Sequence, residues 1–158
     1  MLNRFVGEKG RPVLVETLKN QATLNGNVAA AEFIASNAEL LPVESGQAII
    51  TQDGEDNDIF FIVAGSFSII VNGRPVAVRA ANNHVGEMAA IQPTQRRSAT
   101  VTATENSVVC KLSQAQLVEL AKIEPLIWKG IAKELARRLE QRNAMVTSCS
   151  KTKRLAAS

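Results

Sequence analysis

Residues 86–101 limit what this chain can fold into more than any other stretch. They read Gly86-Glu87-Met88-Ala89-Ala90-Ile91-Gln92-Pro93-Thr94-Gln95-Arg96-Arg97-Ser98-Ala99-Thr100-Val101. A glycine opens the segment and a short run of helix formers follows. Two arginines and a serine close it just before a β-rich run. Those are the parts needed to hold one phosphate. A short helix directs unpaired backbone N–H groups and its positive dipole end toward an anion. An arginine fork adds charge and paired donors, and a serine hydroxyl completes the set. Glu87 would repel a phosphate, so it must face a group that donates hydrogen bonds. A ribose 2′-hydroxyl is such a group. One acid and one arginine, Glu87 and Arg97, therefore fit a sugar joined to a phosphate. Adjacent residues entering a strand face opposite sides, so Arg96 is expected in solvent where Arg97 is not.

Around this segment the hydrophobic period changes twice. Residues 1–38 read as helical: Val13, Leu14, Leu18 and Ala22 follow helical spacing, Asn25-Gly26-Asn27 interrupts it, and Val28 to Ala35 supplies a second short helix. From 39 to 113 the pattern becomes short β-rich runs: Ala48-Ile49-Ile50, Ile59 to Val63, Ser68 to Val71, Val76-Ala77-Val78, Thr100-Val101-Thr102 and Val108-Val109-Cys110. Turn signals separate the runs, and Asn72-Gly73 between two of them predicts a tight hairpin, since both residues tolerate positive φ. From 114 to 146 the chain is helical again. Ser113 is a candidate N-cap, Pro125 opens a longer helix, and Trp128, Ala132, Leu135 and Leu139 form its expected apolar stripe. Arg137 and Arg138 are expected on a solvated face or an oligomer contact. Residues 147–158 lose periodicity and read as a tail or linker. Helices, strands, then helices outline an α+β domain.

The segment resembles the phosphate-binding cassette of the cyclic-nucleotide-binding domain family. Its pattern is Gly-Glu-apolar-Ala, a short loop, then Arg, a small residue, Ala and Thr. Gly46, Gly54 and the string from Asp58 to Phe67 resemble that family's β-roll signature. From Gly86 to Val146 the chain is similar, without a gap, to the bacterial catabolite activator protein. The resemblance implies an eight-stranded antiparallel β-roll (a jelly-roll) flanked by N-terminal helices and a long C-terminal lid and dimerisation helix. It implies that Arg97 and Ser98 hold the cyclic phosphate, that Glu87 takes the ribose hydroxyl, and that the backbone around Gly86, Met88, Ala89 and Ala99 shapes the site. The activator reads adenine with a Thr-Ser pair; those positions hold Arg142 and Asn143 here, so the base is left open. The cassette and the string Lys133 to Asn143 also resemble the sensor half of bacterial proteins that couple this domain to a TIR-like effector. Some of these act in the cyclic-pyrimidine (Pycsar) anti-phage system and sense cUMP or cCMP. The resemblance thus implies a cyclic nucleotide second messenger as partner, a fused C-terminal effector beyond residue 158, and a homodimer.

Other functions are disfavoured on the residues themselves. No apolar run approaches membrane-helix length, and the N-terminus lacks a signal-peptide core, so a cytoplasmic address without membrane contact is expected. The net charge of +3 is concentrated near Lys151, Lys153 and Arg154, and with aromatics at 4% and no tyrosine a nucleic-acid stacking surface is not expected. One histidine and two cysteines cannot close a structural zinc site without carboxylates, and there is no Cys-x-x-Cys pair. Cys110 reads as core, Cys149 as incidental and His84 as structural or exposed. No paired carboxylates or nucleophile–base pattern points to catalysis, so neither catalytic residues nor a cofactor are expected in this chain.

Overall fold

The structure, a computed structural model, describes residues 1–157, with side chains described for residues 1–148. Cys149 and the cations Lys151, Lys153 and Arg154 therefore lie outside the described side chains. After a short 3-10 turn at Leu2–Phe5 come helices α1 (Gly7–Lys19) and α2 (Val28–Asn37). Strands β1 (Glu39–Val43), β2 (Ala48–Ile50), β3 (Ile59–Ala64), β4 (Ser66–Val71), β5 (Arg74–Ala80) and β6 (His84–Val85) follow. Then come helix α3 (Glu87–Ile91), strands β7 (Thr100–Ala103) and β8 (Ser107–Leu112), and helices α4 (Gln114–Ile123) and α5 (Leu126–Ala157). The eight strands form two antiparallel four-stranded sheets, ordered β1-β8-β3-β6 and β2-β7-β4-β5. This is the α+β roll that the cassette implies.

β3 explains how the layers stack. Its run Ile59-Phe60-Phe61-Ile62-Val63 is apolar at every position because both faces are covered. Phe60 and Ile62 point into the roll, where they meet Ile50, Phe67, Val85, Val101 and Val109. Ile59, Phe61 and Val63 point outward to the helical layer, against Leu14, Leu18, Ile34, Leu117, Leu120 and Ile131. Cys110, 1% exposed, belongs to that outer core, and burial pushes its thiol up to about 12. The Asn72-Gly73 hairpin joins β4 to β5 with φ of 51° and 77°, as its sequence predicts. Ser113 caps α4 in a full capping box with Gln116.

Three local expectations fail. The apolar stripe of α5 is not Trp128, Ala132, Leu135 and Leu139: Trp128, Ala132 and Leu139 are exposed and Leu135 is half-buried. The buried face is instead Ile127, Ile131 and Glu134, one residue round the helix, because Gly130 lets α5 lie directly on the Thr23 carbonyl. Next, α5 does not stop near residue 146 but continues to Ala157. Finally, Arg138 is neither solvated nor free for an oligomer contact; its side chain is 11% exposed and points into the roll. Strands β1 and β6 had no β-rich run to announce them, since Pro42 interrupts one and the other is two residues long.

Candidate functional site

Gly86 begins the site. It has φ of 87° and serves as the N-cap of α3. A Cβ there would stand 2.6 Å from the Asp58 carbonyl oxygen and 2.8 Å from Arg97 Nη1, so only glycine fits both the turn and the crowding. Glu87 follows in the first turn of α3, buried at 7% exposure.

Arg97 is placed by backbone. Its N–H donates to the Gly54 carbonyl at 2.8 Å and its carbonyl accepts from Asp53 N–H at 2.8 Å, which pins the end of the cassette to the loop after β2. The guanidinium is then held from three sides. Nε and Nη2 donate to Asp56 Oδ2 at 3.1 and 2.8 Å, Nη2 also to the Asp58 carbonyl at 2.7 Å, and Nη1 to the Gly86 carbonyl at 3.0 Å. An arginine has five N–H donors. Four are spent on this cradle, which leaves one Nη1 hydrogen for an outside acceptor. Arg96, as expected, faces solvent, with Nη2 3.0 Å from Glu55 Oε1.

Glu87 is held by groups that the local sequence did not announce. Arg138, reaching in from α5, donates from Nη1 to Glu87 Oε1 at 3.1 Å and from Nη2 to the His84 carbonyl at 2.7 Å. Its Nε lies 3.3 Å from Glu134 Oε1, and Arg137 pairs with the same carboxylate. His84 Nδ1 stands 3.3 Å from Glu87 Oε2 on the other side. His84 is fully buried, with its ring edge-on to Phe61 at 6.1 Å. Burial alone would push the Glu87 carboxyl up. The His84 hydrogen bond and the His84 and Arg138 charges outweigh that and hold it at about 2. Glu87 is therefore an anion at neutral pH, with its two oxygens shared between a histidine and an arginine.

These groups open onto a cavity of about 930 Å³ between the second sheet, α3 and α5. Gly86, Glu87, Met88, Ala89, Arg97, Ser98 and Ala99 all line it, so the structure brings every expected cassette residue to one wall. Of the two base candidates, Arg142 lines the cavity; Asn143 does not, and its carbonyl accepts from Thr147 Oγ1 at 3.0 Å. The opposite wall combines Ile69, Val71 and Ala77 of the sheet with Leu135, Leu139 and Met145 of α5. Five arginines (Arg79, Arg96, Arg97, Arg138 and Arg142) and one glutamate line the space; Glu55, Asp56 and Glu134 pair with three of the arginines, and the surplus of cations that favours an anionic occupant rests on Arg79 and Arg142. No group of three or more metal-ligating side chains occurs among the described residues.

Residues 40–124, more than half of the chain, match the model of the cyclic nucleotide-binding domain. The chain belongs to that family. It is 46% identical over 148 residues to the Pycsar effector protein BcPycTIR of Burkholderia cepacia, covering 94% of this chain and 49% of that protein. It is 42% identical over 146 residues to the Pycsar effector protein PaPycTIR of Pseudomonas aeruginosa, covering 92% and 47%. The chain thus spans about half the length of these curated relatives. Among solved structures, the Thermus thermophilus catabolite activator protein superposes with a TM-score of 0.67 at 21% identity, covering 77% of this chain and 59% of that one. That likeness is one of fold.

Proposed function

We propose that the cavity binds a 3′,5′-cyclic nucleotide, cUMP or cCMP in preference to purines, and that the chain is the sensor that switches a fused TIR-like effector in anti-phage defence. One observation carries the binding: a buried arginine with four donors locked and one Nη1 hydrogen left, beside a buried glutamate anion, on the wall of a cavity rich in positive charge. In this reading Arg97, with Ser98 and the N–H groups of α3, takes the cyclic phosphate. Glu87 accepts from the ribose 2′-hydroxyl, and the ring lies in the apolar slot between β4–β5 and α5. The Pycsar names of the relatives, with their TIR suffix, support the pyrimidine ligand and the effector.

Switching follows from where Arg138 sits. Glu87 holds α5 through Arg138, and the same carboxylate is the ribose acceptor. A ligand that changes the bonding at Glu87 changes the hold on α5, and it shifts the helix only by its differential affinity for the two positions. In this reading the chain works as a homodimer. The protein acts in the cytoplasm without membrane or nucleic-acid contact in this reading. No helix among the described residues is long and apolar enough to cross a membrane.

Calorimetry with cAMP, cGMP, cCMP and cUMP tests the function. Binding of a cyclic pyrimidine nucleotide at nanomolar to micromolar concentration, abolished in Arg97→Ala, is expected. Absence of binding by all four would refute it. A second reading, a domain that kept the fold without a ligand, is favoured by the Asp56–Arg97 pair, which already neutralises the cation; the same titration decides between them.

A further inference from the structure

β5 carries a charged residue where its alternation calls for an apolar one. Val78 and Ala80 face outward and are exposed, while Ala77 and Arg79 face inward and are half-buried. Arg79 pairs across the sheet with Phe67, a fully buried ring, and lines the cavity. Its only hydrogen bond among the described residues runs from Nη1 to the neighbouring Val78 carbonyl, at a long 3.4 Å. No carboxylate of the described residues forms an ion pair with it, whereas Arg97 has one and Arg138 has two. Burial and the nearby Arg138 cation lower its pKa, and the Glu87 charge only partly offsets them. A planar fork of donors thus stands half-desolvated on the cavity wall with almost nothing to donate to. Such a group is costly unless an acceptor arrives with the ligand.

We propose that Arg79 is a base-recognising residue, donating to a ring carbonyl oxygen of the bound cyclic nucleotide. The inference rests on the cyclic-nucleotide reading of the same cavity. The phosphate end already has Arg97 and the α3 amides, and the sugar end has Glu87. Arg79 lies on the sheet wall with Ile69 and Ala77, in the cavity that Leu139 and Arg142 also line. A guanidinium suits a carbonyl acceptor and does not suit an exocyclic amine. Uracil and cytosine both carry the C2 carbonyl and adenine carries none. Arg79 therefore makes the site read for carbonyl-bearing rings.

The test compares wild type with Arg79→Ala and with Arg79→Met, which keeps the side chain's apolar stem. Calorimetry with cUMP is combined with the infrared carbonyl bands of carbon-13-labelled cUMP at saturation. Both variants are expected to bind cUMP about tenfold more weakly, as for a lost charge-assisted hydrogen bond. Their bound carbonyl band is expected to move back toward the free-ligand position. Unchanged affinity in both variants would overturn the proposal. So would weaker binding with the carbonyl band unmoved, since the contact would then be to sugar or phosphate. Failure of the wild type to bind any cyclic nucleotide would sink the functional reading itself and is distinguishable from either outcome.

Discussion

Arg138 Nη1 stands 3.1 Å from Glu87 Oε1, joining α5 to the cassette across 51 positions of sequence. Both side chains are nearly buried, at 11% and 9% exposure. Removing one partner of such a pair strands the other charge in a poorly solvated place. Arg138→Ala is expected to destabilise the fold by about 3 kcal/mol in urea unfolding, and Arg138→Lys by less. A loss below about 0.5 kcal/mol would show that the pair contributes little.

Glu87 sets a pH dependence with a definite sign. Its folded carboxyl lies at about 2, below the ordinary 4.5 of the unfolded chain. The stability it contributes is therefore fully present above about 4.5 and is lost as pH falls toward about 2. Unfolding free energy measured from pH 6 to pH 2 is expected to fall by up to about 3 kcal/mol more in wild type than in Glu87→Gln. Parallel curves would contradict the ionised, paired carboxylate.

Asp56 is half-exposed, yet it takes two of the bonds from Arg97. Asp56→Ala leaves the Arg97 guanidinium, 2% exposed, with backbone acceptors alone, and is expected to destabilise the fold by about 2 kcal/mol. Ligand affinity is expected to weaken roughly tenfold as well, as the guanidinium loses the carboxylate that orients it. Tighter binding of the variant would mean instead that Asp56 competes with the phosphate.

Gly86 and Gly46 separate strain from crowding. Both have positive φ, 87° and 88°, but a Cβ at Gly46 meets nothing within 4 Å. Gly46→Ala is expected to cost about 1 kcal/mol from backbone conformation alone. Gly86→Ala is expected to cost about 2 kcal/mol or more, because it also crowds Asp58 and Arg97. Melting curves of the two variants, with and without cyclic nucleotide, provide the comparison.

The cassette was legible because its parts are contiguous: a turn glycine, an acid and an arginine within a dozen positions need no knowledge of topology. The roll was legible for the same reason, through runs and a hairpin signal that are local. What escaped is what topology brings together. Asp56 meets Arg97 only because the loop after β2 pairs with the cassette's end. His84 reads as a lone histidine until the two-residue β6 sets it against Phe61 and Glu87. The face of α5 was misjudged because its buried side carries Glu134 and Arg138. A stripe containing an acid and a base looks solvated until the partner that neutralises it is known. Arg79 hid one residue beyond the β-rich run Val76-Ala77-Val78 that announced its strand.

α5 runs unbroken from Leu126 to Ala157, and its contact with Glu87 lies near the middle. At 1.5 Å per residue, Ala157 lies about 28 Å beyond Arg138 along the axis. A tilt of about 10° pivoting at Arg138 would carry that far end about 5 Å sideways, roughly one helical turn's worth of travel. The helix is thus a lever with its fulcrum at the Glu87 carboxylate. A small tilt there would be magnified, by length alone, into a displacement that a neighbouring surface can feel.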